Sequence, residues 1–194
     1  MVRPYEPLVI HNFFTEDELE LIWCELKLLC RGGILREPFE TGGAPAPDGG
    51  YLKQNKGILF SEFYLNIEDS PIYRASRKLF NGITRDFASM CFANNAILHT
   101  TYSTFLASYY EDGDYYLPHQ DQATVTVLYW FCQEPRTFTG GDLLLHDLEE
   151  FVPFENNTMV MFPSNAVHSV SPVRMETKVP YGGRFCVTQA LKYP

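Results

Sequence analysis

The sequence predicts a mainly β fold, an antiparallel double sheet with helices packed on its outside. Three observations point there. Helix signals are confined to the first half of the 194 residues, and from about residue 97 strand-like runs follow one another with no helix between them. The chain is also rich in side chains that favour strands, with 15 Phe, 12 Tyr and 2 Trp.

Leu8-Val9-Ile10 reads as a short buried strand. Thr15-Glu16-Asp17-Glu18 then has capping-box form, Thr15 capping the Glu18 N–H while Glu18 reaches back to the Thr15 N–H. Leu19, Ile22, Trp23, Leu26 and Leu29 recur at helical spacing, and Arg31-Gly32-Gly33 closes this first helix. A second helix opens at Ser70-Pro71, with the stripe Ile72, Ala75, Leu79, Ile83, Phe87 and Met90. Both helices are assigned packing work only. Between them, residues 41–50 are mostly Gly and Pro and form a loop, either a solvated connector or a lid with Tyr51, Lys53 and Gln54 near a substrate. The strand-like runs are 97–110, 123–131, 142–146, 150–154, 158–163, 167–173 and 183–191, separated by turn clusters such as 111–114, 139–142 and 155–158.

Length and composition bound the function. A chain this long buries roughly 70% of its unfolded surface, so disulfides or structural zinc are not needed for folding. One domain is expected over 1–194, with a helical and strand part at 1–95 and the core at 96–194. The net charge of −9 disfavours a phosphate-tracking nucleic-acid binder. No apolar run approaches a membrane span of ~20 residues, and the first residues lack a signal-peptide pattern, so no membrane association and a cytoplasmic location are expected. Cys24, Cys30, Cys91, Cys132 and Cys186 form no CxxC pair and read as small apolar residues.

The chemistry concentrates in Tyr110–Asp121. His119 and Asp121 are two apart, which puts both side chains on one face of an extended segment. His168 follows in a later strand-like run. Two imidazoles and a carboxylate form the facial triad that suits non-haem Fe(II) and leaves coordination positions open. Taken singly, each histidine also fits an ordinary surface or core residue.

Five ordered segments carry a resemblance: Leu8–Ile22, Tyr110–Asp121, Thr126–Leu143, Met159–Val173 and Gly183–Leu191. Within them stand Tyr-x-x-Gly-x-x-Tyr-x-x-His-x-Asp, a strand beginning with Thr126, Gly140-Gly141-Asp142-Leu143, Phe162-Pro163-Ser164 before His168, and Gly-x-Arg at 182–184. Together they resemble the 2-oxoglutarate- and Fe(II)-dependent dioxygenases of the prolyl 4-hydroxylase type. The resemblance implies a double-stranded β-helix (jelly-roll, cupin-like) core and His119, Asp121 and His168 as iron ligands. It implies Arg184 as partner of the distal carboxylate of 2-oxoglutarate, with Tyr110, Thr126 and Trp130 lining the co-substrate pocket.

Lys178 is a rival to Arg184, because residues 174–178 enlarge the turn before it, and Tyr129 is a rival to Trp130, where the family commonly has Tyr. The implied reaction consumes O2 and 2-oxoglutarate, releases succinate and CO2, and hydroxylates an unactivated C–H, with ascorbate as reductant. A prolyl residue of a protein or peptide is the substrate suggested, a free amino acid or other small molecule the alternative. Two other readings stay open: a cupin-like metal enzyme that does not use 2-oxoglutarate, and a jelly-roll binding module without activity. A zinc hydrolase is disfavoured by the absence of an HExxH helix.

Overall fold

The computed structural model describes residues 3–193 apart from 44 and 47. The elements in order are β1 (Leu8–His11), α1 (Glu16–Leu29), β2 (Lys56–Leu59), α2 (Phe60–Phe63), α3 (Pro71–Ser76), α4 (Ile83–Met90), β3 (Tyr102–Tyr110), β4 (Tyr116–His119), β5 (Val125–Phe131), β6 (Leu143–Leu145), β7 (Glu150–Val152), β8 (Thr158–Pro163), β9 (His168–Val170) and β10 (Arg184–Lys192). Two antiparallel sheets result, β1-β8-β5-β10-β3-β2 and β4-β9-β6-β7. This is the double-sheet fold anticipated from the sequence.

Strand alternation sorts the core into two layers. Odd residues of the large sheet, among them Phe105, Tyr109, Val127, Tyr129, Met161, Phe185 and Val187, pack against Ile22, Leu26, Leu29, Ile72, Leu79 and Phe87 of the helical half. Even residues, among them Tyr110, Leu128, Trp130, Val160, Phe162 and Cys186, pack against Leu143, Leu145, Val152 and Val170 of the small sheet. One face therefore holds the helices and the other holds the cavity described below.

The capping box at Thr15 forms as anticipated, with Thr15 N–H donating to Glu18 at 2.8 Å and Glu18 N–H to the Thr15 hydroxyl at 3.3 Å. The second helix differs from expectation. It breaks after α3 into a 3₁₀ turn at Arg77–Phe80 and restarts as α4 after Gly82, whose φ of +111° lies outside helical space and strains any other residue. Met90 is consequently exposed instead of completing the stripe. The run 97–110 begins later than expected, since Phe92–His99 is 3₁₀ and the strand starts at Tyr102. β2 and β4 carry no alternation long enough to read as strands. Each is four residues, set by pairing with β3 and β9 instead of by its own pattern. The five cysteines are all free.

The helices also do more than pack. Glu25 of α1 is buried and accepts from Tyr64 Oη at 2.5 Å, Ser70 Oγ at 2.6 Å and the Ile72 N–H at 2.8 Å, so one carboxylate ties α1 to the start of α3. Burial pushes its acidity towards the neutral form and these donors oppose that. Replacing Glu25 by Ala leaves buried donors without an acceptor and should remove about 3 kcal/mol of stability, with Glu25→Gln losing less. Urea unfolding of the two variants measures the difference, and equal, near-zero losses would refute this role.

Candidate active site

His119 ends β4 and His168 begins β9, and the two are directly paired across the small sheet. Asp121 lies two residues beyond His119, its backbone N–H donating to the Ser164 carbonyl at 3.0 Å. The ligating atoms of His119, Asp121 and His168 all lie within 4.8 Å of one another.

Each ring has a fixed tautomer. His119 Nδ1 is 2.8 Å from the Leu117 carbonyl oxygen, and His168 Nδ1 is 2.9 Å from that of Ala166. Carbonyl oxygens only accept, so Nδ1 carries the proton and Nε2 presents its lone pair. His119 Nε2 is 3.7 Å from Asp121 Oδ1, and His168 Nε2 is 3.7 Å from Oδ2. That is too long for hydrogen bonds. Three donor atoms thus converge with their lone pairs unspent. Burial, and next the neighbouring His168, push the His119 imidazole down to about 4, against the pull of Asp121.

Asp121 is held from behind. Thr126, on β5, donates its hydroxyl to Asp121 Oδ2 at 2.6 Å, and its oxygen lies 2.8 Å from Ser164 Oγ. Thr126 has one hydroxyl proton and gives it to Asp121, so Ser164 donates to Thr126 in turn. Thr126 therefore orients Asp121 from a wholly buried position.

Arg184 opens β10 and is completely buried. Its Nε donates to the Gly141 carbonyl at 2.7 Å, while Nη1 and Nη2 have no partner. The guanidinium carbon sits 4.8 Å from the Tyr110 ring, 5.2 Å from Phe154 and 5.5 Å from Trp130. Gly141 has φ +73°, and a Cβ there would lie 2.6 Å from Arg184 Cδ, so the Gly-Gly turn is the notch through which Arg184 passes.

The Trp130 indole N–H is also buried without an acceptor, but contrary to expectation neither Trp130 nor Thr126 lines the cavity itself: Trp130 packs against Arg184, and Thr126 lies behind Asp121. Tyr129 points the other way and donates to Gln189 at 2.7 Å in the helix-side layer. Lys178 is exposed and does not line the cavity.

The triad, Tyr110 and Arg184 share a cavity of about 590 Å³, with Leu106, Ser108 and Thr188 on the inner face of the large sheet. Thr41, Gly42, Gly43 and Pro45 of the Gly/Pro loop form part of its rim, while Ala44 and Pro47 lie outside the described residues. Of the loop's neighbours Lys53 lines the cavity and Tyr51 and Gln54 do not. Tyr116, the second Tyr of the Tyr-x-x-Gly-x-x-Tyr motif, stacks its ring on His119 with centroids 3.4 Å apart and planes 9° from parallel. Asn55, buried with its Oδ1 unpartnered, carried no signal in the sequence.

What the arrangement fits follows from its unspent groups. Two neutral imidazole nitrogens and one carboxylate fit a divalent metal of the non-haem iron type. A buried guanidinium fork and an indole N–H, both without acceptors, fit a carboxylate.

Comparison with known proteins places this geometry in a family context. Residues 105–191 match the family model described as the 2OG-Fe(II) oxygenase superfamily. A stretch of 71 residues is 34% identical to a PKHD-type hydroxylase of Synechocystis sp., covering 33% of this chain and 22% of that protein. The match therefore spans about a fifth of the curated relative's length. A viral collagen prolyl hydroxylase from Paramecium Bursaria Chlorella virus-1, solved with 2OG, superposes with a TM-score of 0.58 at 13% identity, over 97% of this chain and 96% of that one. A Pseudomonas putida prolyl-4-hydroxylase gives 0.58 at 16% identity over 98% and 94%. The chain thus resembles the 2-oxoglutarate- and Fe(II)-dependent dioxygenases in both motif and fold.

One pH effect follows from the His119 environment. Its folded value of about 4 is below the ordinary 6.5, so the unfolded chain binds the proton more readily in between. The metal-free protein should lose stability as pH falls from 6.5 towards 4 and level off below. Urea midpoints in chelator across this window test it, and His119→Gln should flatten the slope.

Proposed function

We propose that this chain is a non-haem Fe(II)- and 2-oxoglutarate-dependent dioxygenase that hydroxylates an unactivated C–H of a prolyl residue in a protein or peptide, releasing succinate and CO2. The observation that carries this reading is one cavity holding both the convergent triad and a buried guanidinium with two unpartnered nitrogens. The family match over residues 105–191 supports it, since that stretch contains His119, Asp121, Thr126, His168 and Arg184.

In this reading His119 Nε2, Asp121 and His168 Nε2 hold Fe(II). Bound together, Fe(II), 2-oxoglutarate and O2 supply the oxidising power for C–H hydroxylation. The chain's own residues place and protect that chemistry. The Leu117 and Ala166 carbonyls lock the two rings with Nε2 facing inwards. Thr126 keeps Asp121 aimed. Arg184 grips the distal carboxylate of 2-oxoglutarate through its free fork, Trp130 offers its indole N–H nearby, and Tyr110 walls the pocket. The aromatic shell around Arg184 excludes water, so this charge pairing acts in a low-dielectric setting.

Ascorbate is the reductant we assign. No helix among the described residues is long and apolar enough to cross a membrane, and we take the cytoplasm as the compartment, in keeping with five free cysteines. The whole chain is taken to act as one unit, because β1 and β2 from its first half are strands of the large sheet.

An anaerobic titration of the metal-free protein with Fe(II) and then 2-oxoglutarate tests the reading through the visible charge-transfer band of the chelate. A saturable band is expected, lost in His168→Ala. Iron binding without a band would replace this reading with a cupin-like enzyme that does not use 2-oxoglutarate, and no iron binding would leave a binding module.

Arg184→Ala should raise the 2-oxoglutarate constant by roughly 30-fold or more, for a lost charged partner of about 2–5 kcal/mol. If Lys178→Ala produced that rise instead, the anchor assignment would fall. Thr126→Val should weaken metal binding by about 10–100-fold while the 2-oxoglutarate constant of the metal-loaded protein changes little. Metal-competition assays on that variant distinguish the two effects.

A further inference from the structure

Lys53 is among the largest fully buried side chains, with 2% of its surface exposed, and it lines the same cavity as the triad. Its ammonium donates to the Thr41 carbonyl at 2.7 Å and to the Thr41 hydroxyl at 2.8 Å. Both acceptors are neutral, and among the described residues no carboxylate lies within ion-pair distance of it. An ammonium has three donors, so one remains. The backbone at Gly43 closes over the chain, since a Cβ there would lie 3.3 Å from Lys53 Cε and 2.6 Å from the Pro38 carbonyl oxygen. Lys53 is thus held in place, with its Nζ 6.0 Å from the centre of the Tyr116 ring that stacks on His119. One aromatic ring separates the cation from a triad imidazole.

Charge counting gives this placement a meaning, and the count rests on the function proposed above. Four charged side chains line the cavity, Lys53, Arg184 and Lys192 against Asp121, inside a chain whose net charge is −9. With neutral imidazoles, the charges of Fe(II), the 2-oxoglutarate dianion, Asp121 and Arg184 cancel. Lys53 and Lys192 are left over, and the buried one is costly without a counterion. Burial pulls its ammonium down to about 8, against the pull of Asp121, so it is still charged at neutral pH. A single remaining donor suits a singly charged carboxylate better than a phosphate, which takes several donors.

We infer that Lys53 is a substrate-binding residue and that the molecule to be oxidised carries a carboxylate, which Lys53 holds beside the triad. The carboxylate belongs either to a free acid or to an acidic group of a peptide. Substrate choice would thus be made on the wall formed by β4 and the Gly/Pro loop, and co-substrate binding on the wall formed by β3 and β10.

The test uses Mn(II) in the metal site and saturating 2-oxoglutarate, and reads the paramagnetic relaxation of added probe protons by NMR. Hexanoate should bind at least about tenfold more tightly than hexanamide, and Lys53→Met should abolish that preference. Lys192→Met should retain it. Lys53→Gln, which keeps an N–H near the Thr41 carbonyl, provides a second uncharged variant in case methionine does not fold. An acetylated and amidated Gly-Glu-Gly peptide run beside hexanoate distinguishes an acidic residue from a free acid, and preferential binding of either fits the inference.

Equal binding of hexanoate and hexanamide to the wild type would overturn it, whichever variants fold. So would a preference that survives in Lys53→Met, or one lost only in Lys192→Met. The chelate band with Fe(II) and 2-oxoglutarate is recorded first on the same proteins. Its absence in the wild type would sink the proposed function, whereas its loss in Lys53→Met alone would make Lys53 a co-substrate residue and overturn this inference.

Discussion

The site depends on the alternation of three adjacent strands, β3, β10 and β5, whose register pairs Arg184 with Tyr110 and Cys186 with both Ser108 and Trp130. Even residues face the small sheet and odd residues face the helices. A slip of one residue in any of the three would exchange the two sets. Trp130 would leave for the helix side and Tyr129 would enter, or Arg184 would be lost from the cavity and Phe185 would take its place. The large, well-packed outer layer that Ile22, Leu26 and Phe87 complete is what makes such a slip expensive. The helices, though far from the chemistry, therefore hold the cavity side of the sheet in register.

Electrostatically the cavity runs against the rest of the molecule. An acidic chain surrounds a pocket lined by more cations than acids, and two of those cations, Lys53 and Arg184, are buried among neutral acceptors and aromatic faces instead of carboxylates. Such charges weaken the fold when left alone and become assets when a ligand supplies the opposite sign. The acidic surface repels dianions in solution, so binding strength must come from contacts made after entry, where water is excluded and the fork of Arg184 is already oriented.

Much of this was legible in the sequence, for identifiable reasons. The Thr15 capping box and the His-x-Asp spacing are local, and their geometry follows from the spacing alone. The facing of β5 was not, because every residue of Val125–Phe131 is buried and all but Thr126 are apolar or aromatic, so alternation leaves little trace. Only the pairing with β10 shows that Trp130 lies inward. β2 and β4 were missed because neither carries a run or alternation of its own, and each is set by its pairing with β3 or β9. The break at Gly82 was hidden by a stripe that keeps helical spacing across it. Lys53 could be noticed only as a neighbour of a Gly/Pro loop, since neither its burial nor its lack of an acidic partner is a property of local sequence.

The position of β10 has a consequence for how the molecule comes into being. It is the last of the ten strands among the described residues, yet it lies in the interior of the large sheet, between β5 and β3. During synthesis β3 and β5 are both complete before the strand that joins them exists, and each must wait with an unpaired edge. Their union closes long loops, which makes it slow. Residues 184–192 thus act as a keystone delivered late, and the arginine that finishes the pocket arrives on the same strand that finishes the sheet. A nascent chain halted before residue 184 would have His119, Asp121, His168 and Lys53 but neither a closed sheet nor Arg184.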